Sequence, residues 1–253
     1  MKPYVETVGN GPNLVLLHGW GMHGGVWDGV RDALARRFRL HIVDLPGYGA
    51  SPTLPVQGLE GIAGAVAGAL PDSFHVCGWS LGGLVAQELA LLFPGRVERL
   101  VLTGATPCFT MREDWSGAVP REVLLEFAAA LETDYEGTLK RFLALQARGD
   151  DAAKPVLKRL RETLFARGRP DGETLRAGLR ILLDSDLRGR FAAINKPALL
   201  VQGERDLLTP PEAAQWMAGQ TGARLEIVRG AAHAVFLSHR ELFVETITGF
   251  LHD

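Results

Sequence analysis

Cysteine is scarce: only Cys77 and Cys108 occur in 253 residues. That excludes a disulfide framework and a cysteine-rich metal site. No apolar run approaches the roughly 18 residues of a membrane span. Neither sign of charge dominates, since 27 Lys and Arg against 29 Asp and Glu leave a formal net charge of −2. So balanced a chain has no global attraction for nucleic acid or a membrane surface. The phosphate-cradling pattern G-x-x-x-x-G-K-[ST] is absent. The start, Met1-Lys2-Pro3-Tyr4-Val5-Glu6, lacks the apolar stretch of a signal peptide. These absences predict a soluble, cytoplasmic protein with no nucleic-acid or membrane partner. What the chain does have is bulk: 47% of its residues are hydrophobic. That suffices for one large α/β domain, or a core with an insertion.

Six short runs, at 14–17, 40–43, 74–77, 100–102, 199–201 and 225–228, are apolar nearly throughout. Unbroken apolar runs of this length suit parallel strands covered on both faces. Helical patterns separate them, at 26–37, 59–70, 84–93, 211–218 and 241–251. The alternation predicts a mostly parallel, doubly wound α/β sheet. Its rhythm breaks between about 110 and 184, where four amphipathic helices are expected at 123–131, 139–147, 155–165 and 175–183. The division is therefore a core of 1–109 and 185–253 carrying a helical cap at 110–184. Such a cap would lie over the carboxyl ends of the strands, where ligands bind in open α/β sheets.

Cys77-Gly78-Trp79-Ser80-Leu81-Gly82-Gly83 reads G-x-S-x-G between a strand run and a helix run. A sharp turn there lifts a serine hydroxyl clear of the backbone as a nucleophile. A hydroxyl needs a base to take its proton. Of seven histidines, His233 sits in a loop just past the last strand run. His18 and His23 flank a glycine-rich loop, His41 and His75 fall in strands, His239 precedes the last helix and His252 is terminal. For the acid that orients the imidazole, Asp206 follows the 199–201 run directly, with Glu204 and Asp186 as rivals. The order Ser80, Asp206, His233 is that expected of an α/β-hydrolase. His18-Gly19-Trp20-Gly21 follows the first strand run, and the backbone N–H groups of Trp20 and Leu81 are the expected oxyanion donors. This chemistry needs no metal and no cofactor.

These motifs, with Asp44-Leu45-Pro46-Gly47-Tyr48-Gly49 and Gly203-Glu204-Arg205-Asp206, resemble the α/β-hydrolase superfamily over nearly the whole chain. The elbow, Pro107-Cys108-Phe109, Arg141-Phe142-Leu143-Ala144-Leu145-Gln146 and Ala231-Ala232-His233-Ala234 with Phe236 and Ser238-His239 are similar to the pimeloyl-[acyl-carrier protein] methyl ester esterase family of biotin synthesis. The resemblance implies hydrolysis of the methyl ester of a pimeloyl chain borne on acyl carrier protein; separately, a monomer is expected, although oligomeric state has no signature in the sequence. It implies a pocket of Trp20, Ser80, Leu81, His233 and the run Phe142, Leu143, Ala144, Leu145, Gln146. It also implies docking of the acidic carrier at Arg141, Lys154 and Lys158. A further basic position of the family corresponds to Gly137 here, which weakens that interface.

Local charge agrees with such docking. From 137 to 169 nine basic residues face three acidic ones, an excess of 9 − 3 = +6 in a slightly acidic chain. The same span also reads as an ordinary solvated helix face. Phe142, Leu143 and Leu145 have the spacing of a helix core, which in a cap can double as a pocket roof. A general short-chain carboxylesterase, a C–C bond hydrolase with the same triad, and a hydrolase-shaped binding protein remain the alternatives.

Overall fold

A computed structural model describes residues 1–55 and 58–252; residues 56, 57 and 253 of the expected core lie outside the described residues. The sheet is built from β1 (Val5–Val8), β2 (Asn13–Leu17), β3 (Arg39–Val43), β4 (Phe74–Trp79), β5 (Val97–Thr103), β6 (Ala198–Gly203) and β7 (Arg224–Val228). Their spatial order is β1-β3-β2-β4-β5-β6-β7. All neighbours run parallel except β1, which pairs antiparallel with β3 from Val5 opposite Val43 to Val8 opposite Leu40. The six apolar runs are β2 to β7. Those in β2 to β6 are largely buried, as in a parallel sheet covered by helices, whereas β7 at the sheet edge is only partly buried.

Around the sheet pack α1 (Asp28–Ala35), α2 (Gly58–Ala67) and α3 (Leu81–Leu92). Then come α4 (Arg121–Leu131), α5 (Tyr135–Ala147), α6 (Ala153–Thr163) and α7 (Gly172–Asp184), all between β5 and β6. The short α8 (Arg188–Phe191), α9 (Pro211–Thr221), the short α10 (Val235–Ser238) and α11 (Arg240–His252) complete the chain. The four helices α4 to α7 pack on one another, and α7 also meets α2 and α3. Asp134 and Asp171 start α5 and α7 by accepting the N–H of Gly137 at 3.0 Å and of Thr174 at 2.7 Å. Such caps satisfy donors that a helix start leaves free.

Strand order reverses at β2, which lies between β3 and β4. Ligands bind in the crevice at such a switch point. The loop after β2 carries His18 to His23, and the turn after β4 carries Ser80.

Candidate active site

Ser80 joins β4 to α3 with φ 57° and ψ −120°, the only non-glycine positive φ among the described residues. Its N–H donates to the carbonyls of Thr103 and Gly104 at 3.3 and 3.1 Å. The turn closes because its flanking residues have no side chains. A Cβ on Gly78 would lie 2.3 Å from Gly82 O, and one on Gly82 would lie 2.4 Å from Leu17 O. A positive φ on a residue with a Cβ stores about 1–3 kcal/mol of strain.

His233 and Asp206 meet across a buried bond, imidazole Nδ1 to carboxylate Oδ2 at 2.8 Å. The same carboxylate accepts the N–H groups of Leu208 and Thr209 at 2.8 and 2.9 Å on Oδ1. On Oδ2 it accepts Thr209 Oγ1 at 2.7 Å and Gln202 Nε2 at 2.9 Å. Burial alone would raise the Asp206 pKa. The charge and hydrogen bond of His233, with the bonds from Thr209, outweigh it and hold the acid below its ordinary value. An ionised Asp206 only accepts, so His233 Nδ1 is the donor of that bond, and in the neutral ring this tautomer leaves Nε2 as the acceptor. Nε2 is buried without a partner among the described residues. Gly104 lies between base and serine: its carbonyl accepts from Ser80 N, and a Cβ on it would sit 3.0 Å from His233 Nδ1.

The remaining histidines have other partners. His18 Nδ1 bonds Gly19 O at 2.8 Å, and its Nε2 accepts from Leu45 N at 2.9 Å. Burial lowers its pKa to about 4, so the ring is neutral and ties the end of β2 to the end of β3. His23 bridges Gly25 N and Thr163 O, and His41 meets Asn13. His75 lies 3.5 Å from Glu98, and His239 contacts Ser238. His252 stacks on Phe38. The rival acids are engaged too, Glu204 with Gly230 N and Asp186 with Arg188 and Arg112.

Trp20 is buried beside the elbow, where a Cβ on the preceding Gly19 would lie 3.1 Å from Ser80 Cβ. Leu81 opens α3, and first-turn N–H groups have no acceptor within their own helix. The Trp20 indole donates from Nε1 to Leu175 O at 2.9 Å and meets the Phe142 ring edge-on at 4.7 Å. Residues 142 to 146 do not share one face. Phe142, Leu143 and Gln146 are buried, and Gln146 O accepts from His233 N at 3.3 Å while its side-chain Oε1 is unpartnered. Ala144 and Leu145 turn outward into a groove of about 660 Å³ between α4, α5 and α6. A helix period of 3.6 separates the two sets.

That outer groove is walled by Phe127, Leu145 and Leu157 and edged by Arg141, Arg148 and Lys154. Arg141 is drawn to Asp134 at 3.0 Å, and Lys158 lies 3.8 Å from Glu162. A Cβ at Gly137 would fall 2.0 Å from Asp134 Oδ2, so the α5 cap takes glycine there. Sequence reasoning missed Gln202, Thr209 and the Trp79 indole, which donates to His233 O at 3.0 Å. Gln202 alone gave a signal, as an amide ending an otherwise apolar strand. No group of three or more metal-ligating side chains is found among the described residues, and no described helix is long and apolar enough to cross a membrane.

The sequence profile described as the alpha/beta hydrolase family matches residues 14–246. The pimeloyl-[acyl-carrier protein] methyl ester esterase of Nitrosomonas europaea is 48% identical over 242 residues, 95% of this chain and 96% of that protein. The protein of the same name from Nitrosospira multiformis is 46% identical, covering 98% and 97%. Among solved structures, an esterase from Exiguobacterium antarcticum superposes with a TM-score of 0.89 at 26% identity, over 99% of this chain and 96% of that one.

Proposed function

Because the chain belongs to the alpha/beta hydrolase family, we propose that it is a serine esterase that hydrolyses the methyl ester of pimeloyl-acyl carrier protein. The products are pimeloyl-acyl carrier protein and methanol, a step toward biotin. One observation carries the chemistry: a serine on a strained strand-to-helix turn, together with a histidine whose Nδ1 is held by a buried carboxylate and whose Nε2 is unpartnered among the described residues. Identities of 48% and 46% over nearly the whole chain with the esterases of Nitrosomonas europaea and Nitrosospira multiformis support the substrate.

In this reading Ser80 Oγ attacks the ester carbonyl while His233 Nε2 takes its proton. The N–H groups of Trp20 and Leu81 hold the oxyanion of the tetrahedral intermediate. Collapse expels methoxide, which leaves as methanol with the proton from His233. Water then attacks the acyl-enzyme, giving its proton to His233, and Ser80 is released. Asp206 fixes the tautomer and stabilises the imidazolium. Phe142, Leu143 and Gln146 form the roof, so the helices α4 to α7 act as a cap. The carrier docks at the outer groove, where Arg148 and Lys154 join Arg141.

The deciding experiment measures methanol release from methyl pimeloyl-acyl carrier protein, with shorter and longer carrier-bound methyl esters alongside. The expected result is fastest turnover on the pimeloyl ester and none with Ser80→Ala. Faster turnover of free short-chain esters would favour a general carboxylesterase instead.

A further inference from the structure

The backbone around His233 is held from two sides. From the core, Arg205 N donates to Ala231 O at 2.9 Å, and the Trp79 indole donates to His233 O at 3.0 Å. From the inserted helices, His233 N donates to Gln146 O at 3.3 Å, and Asp151 N donates to Gly230 O at 2.9 Å. The remaining donor, Ala232 N, goes to Asp150 Oδ2 at 2.8 Å.

Asp150 lies in the turn between α5 and α6 and is 7% exposed. Its other oxygen accepts Ala152 N at 2.8 Å, just before α6. One buried carboxylate thus bridges the start of a cap helix and the residue preceding the base. Its neighbour Asp151, which is exposed, makes the surface ion pair with Arg205 instead. Hydrogen bonds to an ionised acceptor are roughly twice as strong as neutral ones. A buried N–H left without its acceptor costs free energy that a moved loop would recover. An apolar residue at 150 strands both N–H groups. An amide there can accept from only one side, because its other arm is a donor.

We propose that Asp150 is a positioning residue for the catalytic base: by accepting Ala232 N–H it sets the His233 backbone, so that seating the α5–α6 turn and aligning the imidazole are one event. The inference rests on the reading of His233 as base. It makes the turn at 148–152 part of the machinery, although it touches no substrate.

The test uses the full chain, with Asp150→Ala and Asp150→Asn. Two readouts are independent of the natural substrate. One is the rate at which a small fluorophosphonate labels Ser80. The other is the far-downfield proton NMR line of His233 Nδ1–H on Asp206, assigned by its loss in His233→Ala. A misplaced catalytic group can cost up to about 100-fold. Asp150→Ala should slow labelling by roughly 10- to 100-fold and shift or broaden the line, while circular dichroism stays native. Asp150→Asn should be partly rescued on both. Wild-type labelling and an unmoved line in Asp150→Ala overturn the proposal. If that variant does not fold, the same result in Asp150→Asn overturns it. A wild-type chain that is labelled but leaves the carrier-bound ester intact defeats the substrate reading and leaves this inference standing. A wild-type chain with neither labelling nor line defeats the triad and this inference together.

Discussion

Trp20 Nε1 reaches Leu175 O at 2.9 Å across 155 residues of sequence. The residue proposed to offer its backbone N–H to the oxyanion thus gives its side chain to α7. The indole also leans on Phe142 of α5. Gly178 makes room for it: a Cβ there would lie 2.7 Å from Trp20 Cδ1 and 2.4 Å from Tyr48 Oη. Gly178→Ala should push the indole aside and cost about 1–3 kcal/mol of stability. If the donor moves with it, kcat should fall too, by no more than the roughly 100- to 1,000-fold value of one oxyanion donor. Trp20→Phe loses the hydrogen bond and part of the buried ring volume but leaves the backbone donor unpushed, so about 1–3 kcal/mol of stability and little of kcat should be lost. Thermal unfolding and steady-state kinetics on both variants check the order.

The φ of 57° at Ser80 gives a stability prediction opposite to the activity one. Ser80→Ala and Ser80→Gly should both lose ester hydrolysis. Glycine adopts positive φ without a Cβ penalty. Ser80→Gly should therefore be more stable than Ser80→Ala by about 1 kcal/mol. Chemical denaturation of the two inactive proteins measures the difference. Equal midpoints would mean that the elbow is unstrained.

Acid should destabilise the fold through His18. Its pKa is lowered from 6.5 to about 4 by burial, so the unfolded chain takes up the proton first as pH falls. Stability is complete above pH 6.5, declines between 6.5 and 4, and loses no more from this group below that. A shift of that size corresponds to about 3 kcal/mol. His23, His41 and His75 are lowered by burial too and act in the same direction. Urea unfolding at pH 7, 5.5 and 4, on wild type and His18→Gln, isolates the share of His18. Parallel curves for the two proteins would assign the loss elsewhere.

The groove cations separate docking from chemistry. Arg148→Glu with Lys154→Glu should lower kcat/KM on carrier-bound ester by roughly tenfold or more at low salt. A small free ester should be hydrolysed normally. Added salt should shrink the difference, because exposed charges are screened. Arg141→Glu should cost less, since Arg141 is already partnered by Asp134. Equal loss on both substrates would point to damage to the helices instead.

Much of this architecture is legible from residue order. β2 to β6 each carry an apolar stretch that is buried in the sheet, the composition that covering on both faces requires, while β7 is a half-buried edge strand of alternating character. β1 is not legible: Val5–Val8 is four residues of mixed character at the sheet edge, paired to β3 by register alone. Ser80, Asp206 and His233 stand out because each follows a strand. What holds them is hidden. Thr209, Gln202 and Trp79 reach the acid and the base through side-chain directions that spacing does not encode. The run Phe142 to Gln146 reads as one motif, but a helix turns it to two faces, one buried and one lining the outer groove.

Ser80 and His233 are each about 1% exposed. On the proposed function, substrate entry therefore calls for movement of the helices packed around them. Cap movements of this kind run on the microsecond-to-millisecond scale and set many turnover numbers. Esters with good and poor leaving groups should thus converge on one ceiling rate, which solvent viscosity lowers and leaving-group acidity does not. The protein's own rhythm of opening then becomes the clock of the reaction.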